Sequence, residues 1–111
     1  MPKKITKIPR IDVRKFFEAL SNNNRWDEVP IDNNFQILVV DVGNWYINPV
    51  QKILEEGIIN QQYLVLKLGV DEFSKLVAGV LNIDKEIEAG TCKVHPPKHE
   101  GYKYINDLLG I

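Results

Sequence analysis

Residues 35–42 read FQILVVDV, from Phe35 to Val42. Apolar and β-branched side chains dominate, the composition that favours extended backbone. A nearly continuous apolar run of this length predicts a central strand buried on both faces. Gly43-Asn44 breaks it. Downstream, Asn48-Pro49 has the chemistry of a helix start, with Asn as cap and Pro in the first turn. Val50, Ile53 and Leu54 would face inward on that helix, and Gly57 would end it. Residues 63–68, YLVLKL, predict a second strand.

Upstream, Asp12 can cap a helix over residues 13–21, where Val13, Phe16, Phe17 and Leu20 follow the i, i+3, i+4, i+7 spacing of one apolar stripe. The run Ser21-Asn22-Asn23-Asn24 ends it, because these side chains compete for backbone hydrogen bonds. Further along, Asp71 caps a third helix with Phe73, Leu76, Val77, Val80 and Leu81 in its stripe. Residues 86–94 predict a short strand or a hairpin turning at Ala89-Gly90-Thr91, closed by Pro96-Pro97. Residues 102–109 predict a last helix carrying Tyr104, Ile105, Leu108 and Leu109. Strands alternating with helices predict an α/β (or α+β) fold. The expectation is a small two- to three-stranded, partly parallel sheet covered by about four helices. It forms a single domain over residues 11–111, preceded by a basic flexible arm at residues 1–10.

The 111 residues suffice for a core without disulfides, and a lone Cys92 excludes an internal one. No apolar run approaches the roughly 20 residues that a membrane crossing needs. MPKKITKIPR carries lysines with no apolar stretch behind them, unlike a signal peptide. A cytoplasmic protein is expected. The richness in Ile, Asn and Lys suits an accessory protein of an AT-rich bacterium, archaeon or virus.

Charge is divided along the chain. Lys3, Lys4, Lys7, Arg10, Arg14, Lys15 and Arg25 face only Asp12 and Glu18, while the remaining 86 residues are acidic on balance. Clustered cations attract phosphates or acidic partners. Lys3, Lys4, Lys7, Arg10, Arg14 and Lys15 are therefore candidates for contact with a phosphate backbone. Trp26, Trp45 and Tyr46, in or beside loops, are candidates for stacking on unpaired bases. Against this, the sequence pI is about 6.1, acidic for a nucleic-acid module.

Asp41-Val42-Gly43-Asn44 places a carboxylate at a strand's carboxyl end, where open α/β sheets form ligand crevices. Its Asp-x-Gly pattern resembles the phosphate loop of actin-like ATPases and sugar kinases, which implies a nucleotide site. Its Asp-x-x-Asn spacing resembles the opening of PIN/NYN ribonucleases, which implies a metal-dependent nuclease using Asp41, with Asp71 or Asp84 as partners. The plainer expectation is a turn, in which Asp41 caps and Gly43 supplies a positive φ. Cys92, His95 and His99 have the spacing of soft-metal ligands, but no fourth Cys or His exists. Solvated histidines, no metal and no cofactor are the expectation. Val13-Arg14-Lys15-Phe16-Phe17 resembles the peptide that replication proteins insert into a sliding clamp, though the same residues serve equally as a core stripe.

These features together predict a small non-enzymatic protein that binds nucleic acid, single-stranded or through its backbone. The alternative is an adaptor or regulator that docks its basic arm on an acidic protein partner, and the third is the Asp41 nuclease. A homodimer is compatible with each.

Overall fold

The structure is a computed structural model, and it describes residues 9–23, 26–95 and 103–111. Five strands form one sheet in the order β3-β2-β1-β4-β5. They are β1 (Phe35–Val39), β2 (Gly43–Asn48), β3 (Ile53–Glu56), β4 (Leu64–Leu68) and β5 (Lys93–His95). The helices are α1 (Val13–Asn22), α2 (Val70–Val77), α3 (Ile83–Ala89) and α4 (Ile105–Leu109). The chain is thus a mixed α/β domain, as expected. Its sheet has five strands, not two or three.

FQILV is the middle strand. It pairs antiparallel with β2 and parallel with β4, so that Ile37 lies between Trp45 and Leu66, and Phe35 between Ile47 and Leu64. Side chains alternate across a strand. Phe35, Ile37, Val39, Trp45, Ile47, Leu64, Leu66 and Leu68 therefore share one face, and each is at most 3% exposed. Onto this face pack Val13, Phe17 and Leu20 of α1, Phe73 and Leu76 of α2, Ile83 of α3, and Ile105, Leu108 and Leu109 of α4. Helices cover this face alone. On the other, Leu38 is only half-buried and Val40, just beyond the strand, is exposed. Burial on both faces was the wrong expectation for most of the run.

The exception is Gln36, at 2% exposure. The chain must cross from β3 on one flank to β4 on the other, and residues 57–63 make that passage over the helix-free face. Gln36 anchors it. Its Nε2 donates to Trp45 O at 3.0 Å and to Gly57 O at 2.8 Å. Its Oε1 accepts from Ile59 N at 3.1 Å and from Gln62 Nε2 at 3.3 Å. A buried amide with both ends bonded is stable where an unbonded one is costly.

The helix expected from Asn48-Pro49 is a β-hairpin. Asn48 does cap, but it caps a turn: its Oδ1 accepts from Val50 N at 3.1 Å and Gln51 N at 2.9 Å. Lys52 then takes a left-handed φ of 57°, which reverses the chain into β3. Val50 ends up exposed, while Ile53 and Leu54 lie half-buried on β3. The β1–β2 hairpin is tighter still. Val42 N donates to Val39 O at 3.0 Å, and Asp41 sits at the position with φ 64°. The positive φ expected of Gly43 falls on Asp41, one of the few side chains that tolerate it. Gly43 is small for another reason, since a Cβ there would meet the Trp45 ring at 3.1 Å.

Other elements follow the sequence more closely. Asp12 caps α1, accepting from Lys15 N at 3.1 Å. Asn82 caps α3, and Gly90 ends it in the left-handed conformation. Residues 86–89, expected to be extended, are helical, and only Lys93–His95 form a strand. Val80, expected in the α2 stripe, lies beyond the helix end and is 63% exposed. The flexible arm proposed for residues 1–10, up to residue 8, and Pro96-Pro97 lie outside the described residues.

Candidate functional site

Of the residues singled out for nucleic acid, Arg10, Arg14, Trp26, Trp45 and Tyr46 make contacts within the molecule. Arg10 Nε donates to Asp71 Oδ1 at 2.7 Å. Arg14 Nη1 donates to Glu56 Oε1 at 2.6 Å, and its Nη2 reaches Val42 O at 3.3 Å. These carboxylates hold both guanidiniums above their ordinary pKa, chiefly through the hydrogen bonds. Lys15 is exposed, and Lys3, Lys4 and Lys7 lie outside the described residues.

Trp26 is 2% exposed, and its Nε1 donates to Leu108 O at 2.8 Å, tying the loop after α1 to α4. Trp45 is 3% exposed and stacks on Phe17 with ring centroids 4.5 Å apart, under the Arg14 guanidinium. Neither indole face is open to a base. Tyr46 lies half-buried on the opposite face of the sheet, its hydroxyl donating to Glu55 Oε2 at 2.5 Å. That hydrogen bond raises the phenol's pKa.

The remaining motifs resolve similarly. Asp41 is a turn residue at a hairpin tip. Among the described residues no group of three or more His, Cys, Asp or Glu side chains is arranged to hold a metal ion. Cys92 is buried, whereas His95 is exposed on β5 opposite Val65, so the two diverge. His99 lies outside the described residues. The Phe16-Phe17 pair faces inward: Phe16 meets Phe73 edge-on at 5.4 Å, and Phe17 lies against Trp45. A sliding clamp would find no free aromatic there.

The structure instead assembles an apolar layer between one sheet face and the helices. Phe16, Phe17, Phe73 and Trp45 interlock at its α1 end. Above that cluster, between α1 and the β2–β3 hairpin, lies a groove of about 520 Å³. Phe17, Trp45 and Leu54 contribute its apolar lining, and Arg14, Glu18, Ser21, Glu55 and Glu56 its polar lining. Residues before α1 are fastened alongside: Ile11 N donates to Ser74 Oγ at 3.0 Å, and that hydroxyl donates to Val70 O at 2.8 Å. The Arg10–Asp71 and Arg14–Glu56 pairs thus fasten the start of α1 to α2 and β3. Both pairs are solvent-exposed, so they are readily exchanged for water.

Sequence reasoning missed this layer because it assigned residues 48–57 to a helix. A signal was present nonetheless. In YLVLKL, Leu64, Leu66 and Leu68 fall on one side, and Tyr63, Val65 and the charged Lys67 on the other, as in a sheet covered on one face.

No family model and no curated protein matches the sequence. The fold does have solved counterparts. Sterol carrier protein 2 from Yarrowia lipolytica, in its apo form, is 18% identical with a TM-score of 0.63, over 96% of this chain and 93% of that one. Palmitated sterol carrier protein 2-like 2 from Aedes aegypti is 12% identical with a TM-score of 0.67, over 91% and 96%. A stereoselective inverting sec-alkylsulfatase from a Pseudomonas species is 17% identical with a TM-score of 0.68 over 90% of this chain, which spans only 16% of that enzyme. The molecule has a sterol carrier protein 2 fold.

This finding, with the buried tryptophans and paired arginines, corrects the nucleic-acid reading. It also corrects the adaptor reading that sought an acidic protein partner, and the Asp41 nuclease. Among the described residues no helix is long and apolar enough to cross a membrane.

Proposed function

We propose that this chain binds a lipid with a long apolar chain, of the fatty-acid kind, in the layer between the sheet and its helical cover. The observation that carries the reading is the β3-β2-β1-β4-β5 sheet with one face apolar except for Glu56 at its β3 edge, roofed by short helices. That architecture is shared, over 91% of this chain, with a protein solved as its palmitated form. The strands β1 and β4 offer a ligand only apolar side chains on this face, which favours hydrocarbon and disfavours a buried polar group. A headgroup stays at the polar rim of the groove beside α1.

A difference in rigidity directs how a chain gets in. The sheet is held by backbone ladders across five strands, whereas the start of α1 is fastened by exposed ion pairs. The roof yields before the floor does. Titration of the delipidated protein with saturated fatty acids, followed by tryptophan fluorescence, tests the reading. Affinity rises with chain length, by up to about four-fold per methylene at complete burial. A response that is flat between short and long acids, or no saturable binding, overturns it.

A further inference from the structure

We infer that the helix-free face of the sheet is a docking surface for an anionic lipid bilayer, centred on Lys67 and Lys93. These two lysines stand directly opposite each other in the antiparallel β4–β5 register. Both are exposed on the side away from the helices. Opposed residues in such a pair have Cβ atoms about 5 Å apart, and like charges at that spacing destabilise the sheet. Neither lysine forms an ion pair with a described residue, in contrast to Arg10 and Arg14. The next cross-strand pair on this face is Val65 and His95, so no carboxylate adjoins the lysines there either. The face's one strand carboxylate, Glu55, sits across the sheet on β3 and is occupied by the Tyr46 hydroxyl. An uncompensated cation pair of this kind is relieved by an external anion.

The surface is a sheet face, suited to an extended partner, and it carries an apolar element. Ile58, 69% exposed, belongs to the 57–63 crossover that Gln36 pins to this same face. Gly57 N donates to Asn44 O, and Asn44 is aligned through Leu38 with Lys67 and Lys93. At about 4.8 Å per strand, Gly57 stands about 14 Å from Lys67 and about 19 Å from Lys93, and Ile58 follows it onto the face. Cations beside a projecting aliphatic side chain match the interface of a bilayer, where phosphates and acyl carbon meet. The choice of a lipid surface over another polyanion rests on the acyl-binding reading above.

The test is co-sedimentation of the full chain with phosphatidylcholine vesicles, with and without phosphatidylserine, at low and high salt. The wild type binds the serine-containing vesicles at low salt and releases them at high salt. Lys67→Gln and Lys93→Gln each weaken that binding about five-fold. Ile58→Ser weakens it as well, and Lys85→Gln, on α3, leaves it unchanged. Binding equal on neutral and anionic vesicles, or a double lysine variant that binds like the wild type, overturns the inference. So does a patch that captures soluble polyglutamate but no vesicle. Fatty-acid titration of the same variants separates the two readings: vesicle binding without acyl binding sinks the proposed function alone, and the reverse sinks the docking surface alone.

Discussion

Cys92 is 1% exposed beneath the helices, and burial pushes its thiol up to about 11, with Glu86 and Glu72 adding to the shift. The folded protein therefore holds a neutral thiol that resists alkylation at neutral pH. A raised folded pKa stabilises fully below the unfolded value. That contribution is lost as pH climbs from the ordinary 9.0 toward about 11. The loss is on the order of 2 kcal/mol, read as a falling urea midpoint, and Cys92→Ala flattens that slope. Gln36 gives a second residue-scale expectation. Gln36→Ala strands Ile59 N–H and Gly57 O without their partner, which costs about 2–3 kcal/mol in denaturant unfolding. Hydrogen exchange would show the opening concentrated in residues 57–62.

At the scale of elements, the two hairpins decide the architecture, and polar turn residues decide the hairpins. Asn48 Oδ1 takes two backbone N–H groups, and its Nδ2 donates to Asp32 Oδ1 at 3.2 Å. Asn48→Ala should destabilise by about 1–2 kcal/mol. Asn48→Asp, which keeps the turn acceptor, should recover part of that, and equal losses would deny the turn its role. This residue also shows why the sequence misled. The side-chain oxygen that caps a helix equally caps a turn, and Pro49 suits both. What separates the outcomes is Lys52 at φ 57°, a conformation that nothing in its identity announces. By contrast, α1 was legible in full, because an Asp cap, a four-residue stripe and an Asn-rich stop all agree.

On the scale of the whole molecule, a few long-range links hold the helical layer to the sheet. Trp26 bonds Leu108 across 82 residues of sequence, joining the loop after α1 to the last helix. Trp26→Phe removes that hydrogen bond and leaves a void, costing about 2–3 kcal/mol and loosening α4 first in hydrogen exchange. A uniform loss of protection would mean that the helices do not open separately. The divided charge of the chain also acquires its meaning at this scale. Arg10 and Arg14 find their acids on α2 and β3, 61 and 42 residues away, so linear clustering does not amount to a free cationic surface. Lys67 and Lys93 are the reverse case: 26 residues apart in sequence, they become neighbours only through the sheet.

The amino-acid sequence by itself determined the central strand, α1, most of α2 and the core-facing residues of those elements. These follow from periodicity, capping and apolar content, which act over a few residues. Only the tertiary structure decided that residues 43–56 are two strands, that helices cover a single face, and that both tryptophans are interior. Strand pairing is settled by partners far along the chain, and a short polar-flanked segment takes its conformation from the edge it completes. The candidate site shares that origin: it is a space between layers, and no single run of residues encodes it.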